Sequence, residues 1–238
     1  MIPGIYDCFK HWHEKGTVWI ISDPHFADSD TKHLEPNRPS DEELVKRINA
    51  KVGRADTLII LGDCGDPAYI QQLRGYKVLI AGNHDQGLTN YQKSTVQILY
   101  DRDKYTKAEA LAEAKKTHPN CKYTITEIFT YEKPNYFWCV DCCNNLFDEV
   151  YSGPLFIGER LLLSHEPISL PWALNLHGHS HTKLSKQENI NCINCCANQI
   201  NYNPINFNQF MKQGPLSKIE SIHRITINQA IKKSKKLF

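Results

Sequence analysis

Five short apolar runs in this chain each lead into residues that can bind a metal ion or carry a proton. The runs cover residues 17–21, 57–61, 77–81, 160–163 and 173–176. All but one residue of each run is apolar, and most of the apolar residues are at successive rather than alternate positions, which is typical of parallel strands buried on both faces. Because open α/β sheets bind ligands at the carboxyl ends of parallel strands, we expect these junctions to meet at one edge of a sheet.

The residues that follow these runs form a mixed set of oxygen and nitrogen ligands. They are Asp23, His25, Asp63, Asn83, His165, His179 and His181. So many ligands exceed one tetrahedral zinc site and suit two ions that share a bridging carboxylate. Imidazole favours transition metals, so Mn, Fe, Zn, Co or Ni fits better than Ca or Mg. Two divalent ions would outweigh the two aspartates in charge, and such a site attracts phosphate.

A lone histidine at the end of a strand is more often a packing residue than a ligand. Here the same kind of junction recurs five times, with the blocks Asp-x-His, Gly-Asp, Gly-Asn-His-Asp, His and Gly-His-x-His in chain order. This pattern resembles the calcineurin-like metallophosphoesterases over residues 17–88 and 145–210. The segments 37–39 (Asn-Arg-Pro), 164–167 (Ser-His-Glu-Pro) and 202–204 (Tyr-Asn-Pro) make it most similar to small bacterial and phage-type phosphoesterases.

The resemblance implies a four-layer α/β/β/α sandwich, in which two mixed β-sheets are flanked by helices. It also implies that Asp23, His25 and His181 hold one ion. A second ion would be held by Asn83, His165 and His179, with Asp63 bridging the two. Manganese is favoured as the activating metal, and the implied reaction is in-line attack of metal-bound hydroxide on a phosphoester.

Two neighbouring residues receive catalytic roles from the same resemblance. His84 would protonate the leaving oxygen or stabilise charge on it, and Asp85 would orient His84. Arg38 could contact a substrate phosphate through its planar guanidinium, or it could cap a backbone carbonyl or face water.

The second block separates this chain from the protein serine/threonine phosphatases of the superfamily. Those proteins carry Gly-Asp-x-x-Asp-Arg-Gly, whereas this chain reads Gly-Asp-Cys-Gly-Asp-Pro at 62–67. We therefore expect a phosphodiesterase or small-molecule phosphatase acting on a nucleotide or another small phosphoester. A nuclease of the same superfamily and a non-catalytic metal-binding scaffold are the alternatives.

Composition restricts the partners and the compartment. The 238 residues are 41% hydrophobic and 23% charged, with a net charge of +2, which is ordinary for a globular protein. Binding to nucleic acid is possible but not indicated by this charge. No apolar run reaches the roughly 18 residues of a membrane span. Nine cysteines without a secretory signal indicate thiols in the cytoplasm, in a bacterial or phage-infected cell. Nothing in the sequence indicates an oligomeric state.

We expect a single metallophosphoesterase domain over 1–238, with a lead-in at 1–15 and an inserted cap or recognition subdomain at about 89–143. A helix is predicted after Ser40, and in the insertion a capping box at Thr106 predicts another. Residues 123–131 and 136–140 favour a hairpin. The insertion is expected near the site mouth, where it would select the substrate.

Strands are also predicted at 190–197 and 222–227, and a solvated basic helix end at 230–238. Four cysteines of the insertion could form a zinc knuckle, although packing as small buried thiols is the favoured interpretation. They are Cys121, Cys139, Cys142 and Cys143.

Overall fold

The structure is a computed structural model that describes residues 12, 16–85, 87, 94–118, 121–131, 134–182 and 191–234. The chain divides into two compact units, a larger one formed by 1–86 with 148–238 and a smaller one formed by 87–147. Except for Trp12, the predicted lead-in lies outside the described residues, as does the end of the basic tail from 235 onward.

The larger unit contains two mixed sheets. The first has the order β12-β1-β2-β3-β7, with β1 (Val18–Ile21), β2 (Thr57–Ile60), β3 (Tyr76–Ile80) and β7 (Glu149–Tyr151) parallel and β12 (Ile205–Asn206) antiparallel. The second has the order β11-β10-β9-β8, with β9 (Leu161–Leu163), β10 (Leu174–His177) and β11 (Cys192–Asn194) parallel and β8 (Leu155–Phe156) antiparallel. All five predicted motif strands are therefore present.

One hydrophobic core joins these two sheets. Ile20 and Ile59 of the first sheet belong to the same buried cluster as Leu163 and Leu176 of the second. Every residue of β2, β9 and β10 is buried, which confirms that these strands are covered on both faces. The two sheets therefore pack face to face, and the helices lie outside them.

The helices of the larger unit are α1 (Ser29–Leu34), α2 (Asp41–Lys51), α3 (Pro67–Ile70), α5 (Phe207–Lys212) and α6 (Ile222–Ser234), with a 3₁₀ turn at Pro215–Lys218. The prediction of a helix after Ser40 is confirmed, because the Ser40 side chain accepts a hydrogen bond from the backbone N–H of Glu43. Leu44 and Ile48 form its buried stripe. The fold is thus mixed α/β with several sheets flanked by helices, as predicted. None of the described helices combines the length and the apolar character that a bilayer span requires.

The strand predicted at 222–227 is wrong, because this segment begins helix α6. Ile225 and Ile227 alternate with polar residues, but so short a run cannot distinguish a strand from a helix by periodicity. The segment continues into Lys232 and Lys233, whose positive charges are favourable in the last turn of a helix.

The smaller unit is a three-stranded antiparallel sheet with one helix. Its order is β4-β6-β5, with β4 (Ser94–Asp101), β5 (Lys122–Thr130) and β6 (Asn135–Asn144), and the helix is α4 (Lys107–Thr117). The capping box at Thr106 and the β5–β6 pairing are confirmed, whereas β4 was not predicted. Ala110 and Ala114 of α4 pack with Val140 and Cys142. A role of this unit in selecting substrate stays a prediction.

Candidate metal centre

The residues after β1, β2, β3, β9 and β10 form two adjoining groups of potential metal ligands. The first cluster is Asp23, His25 and His181, and the second cluster is Asp63, His165 and His179. Within each cluster one ligand atom from every residue lies within 4.8 Å of the others. The structure thus brings together residues that are up to 158 positions apart in the chain, counting from Asp23 to His181.

In the first cluster two imidazoles face one carboxylate oxygen. Oδ1 of Asp23 lies 3.8 Å from Nε2 of His25 and 3.7 Å from Nε2 of His181. This oxygen is buried and has no hydrogen-bond partner in the described structure. The other oxygen, Oδ2, accepts from Ser22 Oγ at 2.5 Å and from the backbone N–H of His179 at 2.9 Å. The carboxylate is therefore fixed through Oδ2, while Oδ1 faces two imidazole nitrogens without a hydrogen bond, as a cation ligand would.

In the second cluster, Nε2 of His165 lies 3.3 Å from Oδ2 of Asp63 and 3.1 Å from Nδ1 of His179. Asn83 completes this group, because its Oδ1 is 2.8 Å from the same His165 nitrogen and 3.1 Å from that of His179. Oδ2 of Asp63 is also 3.7 Å from Nε2 of His25. Asp63 therefore lies between the clusters, where a bridging ligand is expected. The mixed nitrogen and oxygen donors fit transition-metal ions.

Three of the histidines are anchored through the ring nitrogen that faces away from the clusters. Nδ1 of His165 is 2.9 Å from the carbonyl oxygen of Leu61, and Nδ1 of His25 is 3.1 Å from Asp28. Nδ1 of His181 is 2.6 Å from Oε1 of Glu35. Such contacts orient a metal-binding imidazole and leave its Nε2 lone pair for the ion.

The carboxylates also change the proton affinity of these rings. Burial lowers the pKa of His25. For His165 burial acts in the same direction, but the hydrogen bond to Asp63 and the charge of Asp23 raise the pKa to about 9. The hydrogen bond to Glu35 raises the pKa of His181. A divalent ion must therefore displace a proton from His165 in order to bind there.

His84 lies next to the clusters without being part of them. Its backbone N–H donates to Oδ1 of Asp63 at 2.9 Å, and its residue is exposed. The His84 ring is 5.5 Å from the His25 ring, centroid to centroid, at an interplanar angle of 71°. This position at the open side of the site is compatible with the predicted proton donor.

Asp85 does not make the contact that the sequence suggested. Its carboxylate accepts from the backbone N–H groups of Asp63 and Gly82, each at 2.8 Å, and of Cys64 at 3.0 Å. It is 2% exposed and forms no hydrogen bond with His84 among the described residues. The prediction that Asp85 orients His84 is therefore corrected: Asp85 holds the backbone that carries Asp63.

Arg38 likewise has a side chain enclosed by protein groups. Its side chain is 1% exposed, and Nη2 donates to the carbonyls of Pro24 and His25 and to Oδ1 of Asp41. Its Nη1 lies 3.8 Å from Oε2 of Glu35. A guanidinium so enclosed cannot also contact a phosphate in solvent. The structure favours the carbonyl-capping alternative over the predicted substrate contact.

Two glycines allow the ligand loops to approach one another. A Cβ on Gly178 would collide with Ser22 and with Oδ2 of Asp23, and one on Gly82 would collide with Oδ1 of Asp63. No side chain fits at either position without moving a ligand carboxylate. Glycine in the third and fifth blocks is therefore required by close approach.

The proposed zinc knuckle is not formed. Cys142 and Cys143 are consecutive in β6 and so point to opposite faces of the sheet, and Cys142 belongs to the core beneath α4. Among the residues that the structure describes, the two clusters above are the groups of potential metal ligands that come together. The packing interpretation therefore holds. Cys196 has a contact that the sequence did not suggest, because its thiol donates to Oδ2 of Asp23 at 3.2 Å.

Sequence reasoning missed the residues that support the ligands. Asp28 and Glu35 contact histidines of the first cluster, and Tyr202 donates to Glu35 at 2.9 Å. The contacts of Glu35 have no local signal in the sequence, because its partners are 146 and 167 positions away. Asp28 lies only three positions after His25. In the sequence, the segment that contains Tyr202 indicates only similarity to the family.

Comparison with known proteins agrees with this geometry. The profile of the family described as calcineurin-like phosphoesterase matches residues 16–217. No curated protein matches the chain. A solved structure that resembles it is the protein of unknown function AQ665 from Aquifex aeolicus, 22% identical, with a TM-score of 0.50, covering 83% of this chain and 98% of that one. That likeness concerns the fold alone. The profile match, in contrast, spans all five motif blocks and most of the sequence, and the chain therefore belongs to the calcineurin-like phosphoesterase family.

Proposed function

We propose that the protein hydrolyses a phosphodiester or phosphomonoester of a nucleotide or another small molecule with the help of two divalent ions. The observation that carries the proposal is the environment of Asp23 Oδ1, a buried acceptor without a donor that faces the Nε2 atoms of His25 and His181. Isolated buried charge is costly, so such an oxygen needs a cation nearby.

The ligand assignment follows the two clusters. Asp23, His25 and His181 would hold one ion, and Asn83, His165 and His179 the other. Asp63 would be shared between them, since Oδ2 faces both clusters. When bound, two such ions supply an activated water and positive charge for the phosphate oxygens. Manganese is our preferred activating metal; Fe, Zn, Co and Ni suit the same donors.

We propose that His84 protonates the leaving group. Its exposed ring can reach a substrate, and its backbone N–H fixes it to the shared carboxylate of Asp63. A protonated imidazole there can give its proton to the departing alkoxide, which is a poor leaving group without one. The role of Asp85 is then indirect, since it holds the turn that carries Asp63.

A phosphodiester or small phosphoester is favoured over a phosphoprotein. Asp66 caps helix α3 by accepting from the N–H of Ala68 at 2.7 Å, and Pro67 follows it where the protein phosphatases have arginine. We also propose a cytoplasmic location, since Cys64, Cys139, Cys195 and Cys196 are buried thiols.

The function is tested with one panel of substrates. Manganese-loaded protein is assayed on a bis-aryl phosphodiester, an aryl monophosphate, cyclic nucleotides and single-stranded nucleic acid, with Asp63→Asn and Asp66→Asn compared. We expect hydrolysis of a small ester that Asp63→Asn abolishes and Asp66→Asn retains. Hydrolysis of nucleic acid alone would identify the nuclease alternative. If protein with both ions bound hydrolyses none of these substrates, the result would favour a non-catalytic scaffold and refute the proposal.

A further inference from the structure

Helix α1 places a carboxylate at each of its ends against a histidine of the first cluster. Its N-cap is Asp28, which contacts Nδ1 of His25, and its C-cap is Glu35, which contacts Nδ1 of His181. The two carboxylates differ in environment. The Asp28 side chain is 29% exposed, whereas that of Glu35 is 7% exposed. Glu35 is therefore the better shielded of the two, and its charge acts on His181 through little solvent.

Glu35 is held from three directions. Oε1 lies 2.6 Å from Nδ1 of His181, Oε2 accepts from the hydroxyl of Tyr202 at 2.9 Å, and Nη1 of Arg38 is 3.8 Å from Oε2. A buried carboxylate with these partners has few alternative positions. It therefore restricts the ring of His181 as well as its own side chain.

The contact decides which nitrogen of His181 can bind an ion. A carboxylate accepts hydrogen bonds, so the proton of the neutral ring lies on Nδ1, and the lone pair lies on Nε2. That Nε2 atom is the one that points toward Oδ1 of Asp23, at 3.7 Å. In the second cluster the corresponding partner of His165 is the neutral carbonyl of Leu61. A charged partner also makes the ring a stronger donor.

We propose that Glu35 is a positioning residue of the metal centre, which holds His181 as the Nδ1-protonated tautomer so that Nε2 binds the ion of the first cluster. This inference rests on the proposed function, because it concerns an ion that the same site would bind. Glu35 itself contacts no other candidate ligand among the described residues, and it takes no part in proton transfer to the substrate.

Asp41 offers a matched control for Glu35. It is 4% exposed and shares Arg38, from which its Oδ1 accepts at 3.2 Å. Its other oxygen pairs with Lys32 at 2.9 Å and accepts from the N–H of Ala27 at 3.2 Å. Asp41→Asn therefore removes a buried carboxylate from the same charged group without touching a histidine.

The experiment is a calorimetric titration of metal-free protein with Mn²⁺. We expect two ions to bind the unaltered protein. In Glu35→Gln one of the two should bind about 10- to 100-fold more weakly and the other unchanged, which is the usual effect of losing such a partner. Asp41→Asn should keep both affinities within about twofold, because it contacts no ligand. Equal losses in both variants, or no loss in Glu35→Gln, would overturn the proposal.

A second measurement uses the unaltered protein, so it does not depend on the folding of a variant. In Zn²⁺-loaded protein labelled with ¹⁵N-histidine, the proton of His181 should lie on Nδ1, and a proton on Nε2 would overturn the proposal. The two failures can be distinguished. If the unaltered protein binds no ion at all, the proposed function and this inference are both refuted. If Glu35→Gln binds two ions as tightly as the unaltered protein does, this inference alone is refuted.

Discussion

Asp85→Asn should destabilise the fold, because the Asp85 carboxylate accepts three backbone hydrogen bonds in a site that is 2% exposed. An asparagine oxygen can replace Oδ2 and accept from Asp63 and Gly82. Its NH₂ group then faces the N–H of Cys64, which is 3.0 Å from Oδ1 in the native chain. One buried donor left unsatisfied costs about 1–3 kcal/mol, and exchanging a charged for a neutral acceptor weakens the other two bonds. We expect a loss of about 3 kcal/mol in the free energy of unfolding.

The assay is urea unfolding of metal-free protein followed by circular dichroism, so that ion binding does not contribute to the measured stability. Asp66→Asn is the matched control. Asp66 also accepts a backbone N–H, but at the partly exposed start of α3, where asparagine caps as well as aspartate, so its effect should stay within about 0.5 kcal/mol. Equal stability of the two variants would refute this reasoning. A fall in kcat of Asp85→Asn without a change in its stability would instead support the prediction that Asp85 orients His84.

Three further outcomes are expected. His84→Gln should lower kcat by about 10²- to 10⁴-fold and leave Mn²⁺ affinity unchanged, because we propose that the ring donates a proton and binds no ion; a parallel loss of affinity would make His84 a ligand. Gly178→Ala should weaken Mn²⁺ binding, measured by calorimetry, because its Cβ would displace Ser22 and Asp23, whereas Gly153→Ala, with open space around it, should have no effect. Because the pKa of His165 is raised to about 9, its proton competes with the ion, so affinity at that site should rise about tenfold per unit of pH below that value in titrations across neutral pH. In metal-free protein the raised pKa of His165 stabilises the fold at pH values below the ordinary histidine pKa, and this stabilisation is lost as the pH rises through about 9. If neither the ion affinity nor the stability changed with pH, the raised pKa of His165 would be contradicted.

The predictable part of this fold is the part whose signal is local. Runs such as 58–61 are apolar at every position, which is typical of a strand covered on both faces. The polar residues that follow each run then share one edge of the sheets, because parallel strands end on the same side. The set of candidate ligands could therefore be predicted from order and spacing. Their division into two clusters was implied by the resemblance to a known family, and the distances between them could not be predicted.

Helices and strands whose sequences lack a strong hydrophobic periodicity were not predicted or were assigned to the wrong class. The run at 222–227 contains both alternation and helical spacing, and it folds as the start of α6. β4 was overlooked, although its pairing with β6 extends from Ser94 to Asp101. Its strand carries polar residues such as Gln97 and Asp101, so its place in the sheet depends on cross-strand partners that lie some 40 positions away.

Four candidate ligands have a left-handed backbone although none of them is glycine. They are Asp23, with φ of 53°, His25 with 41°, Asp63 with 52° and His179 with 64°. Each such residue costs about 1–2 kcal/mol, and it persists only where the surrounding structure determines it. These left-handed residues end the strands and direct the candidate ligand side chains toward one another.

The residues whose roles differ from the sequence interpretation are the ones that hold these turns. Asp85 accepts from the N–H of Asp63, and Arg38 donates to the carbonyl of His25. Asp23, itself a candidate ligand, accepts from the N–H of His179 and so connects the first block to the fifth. The motifs contain the candidate ligands because these residues follow their strands directly, and the third block also contains Asp85. A motif does not show, however, which backbone groups of a distant segment a side chain contacts. Changes to Asp85 or Arg38 should therefore first appear as weaker ion binding and lower stability, whereas a change to His84 should appear in the chemical step.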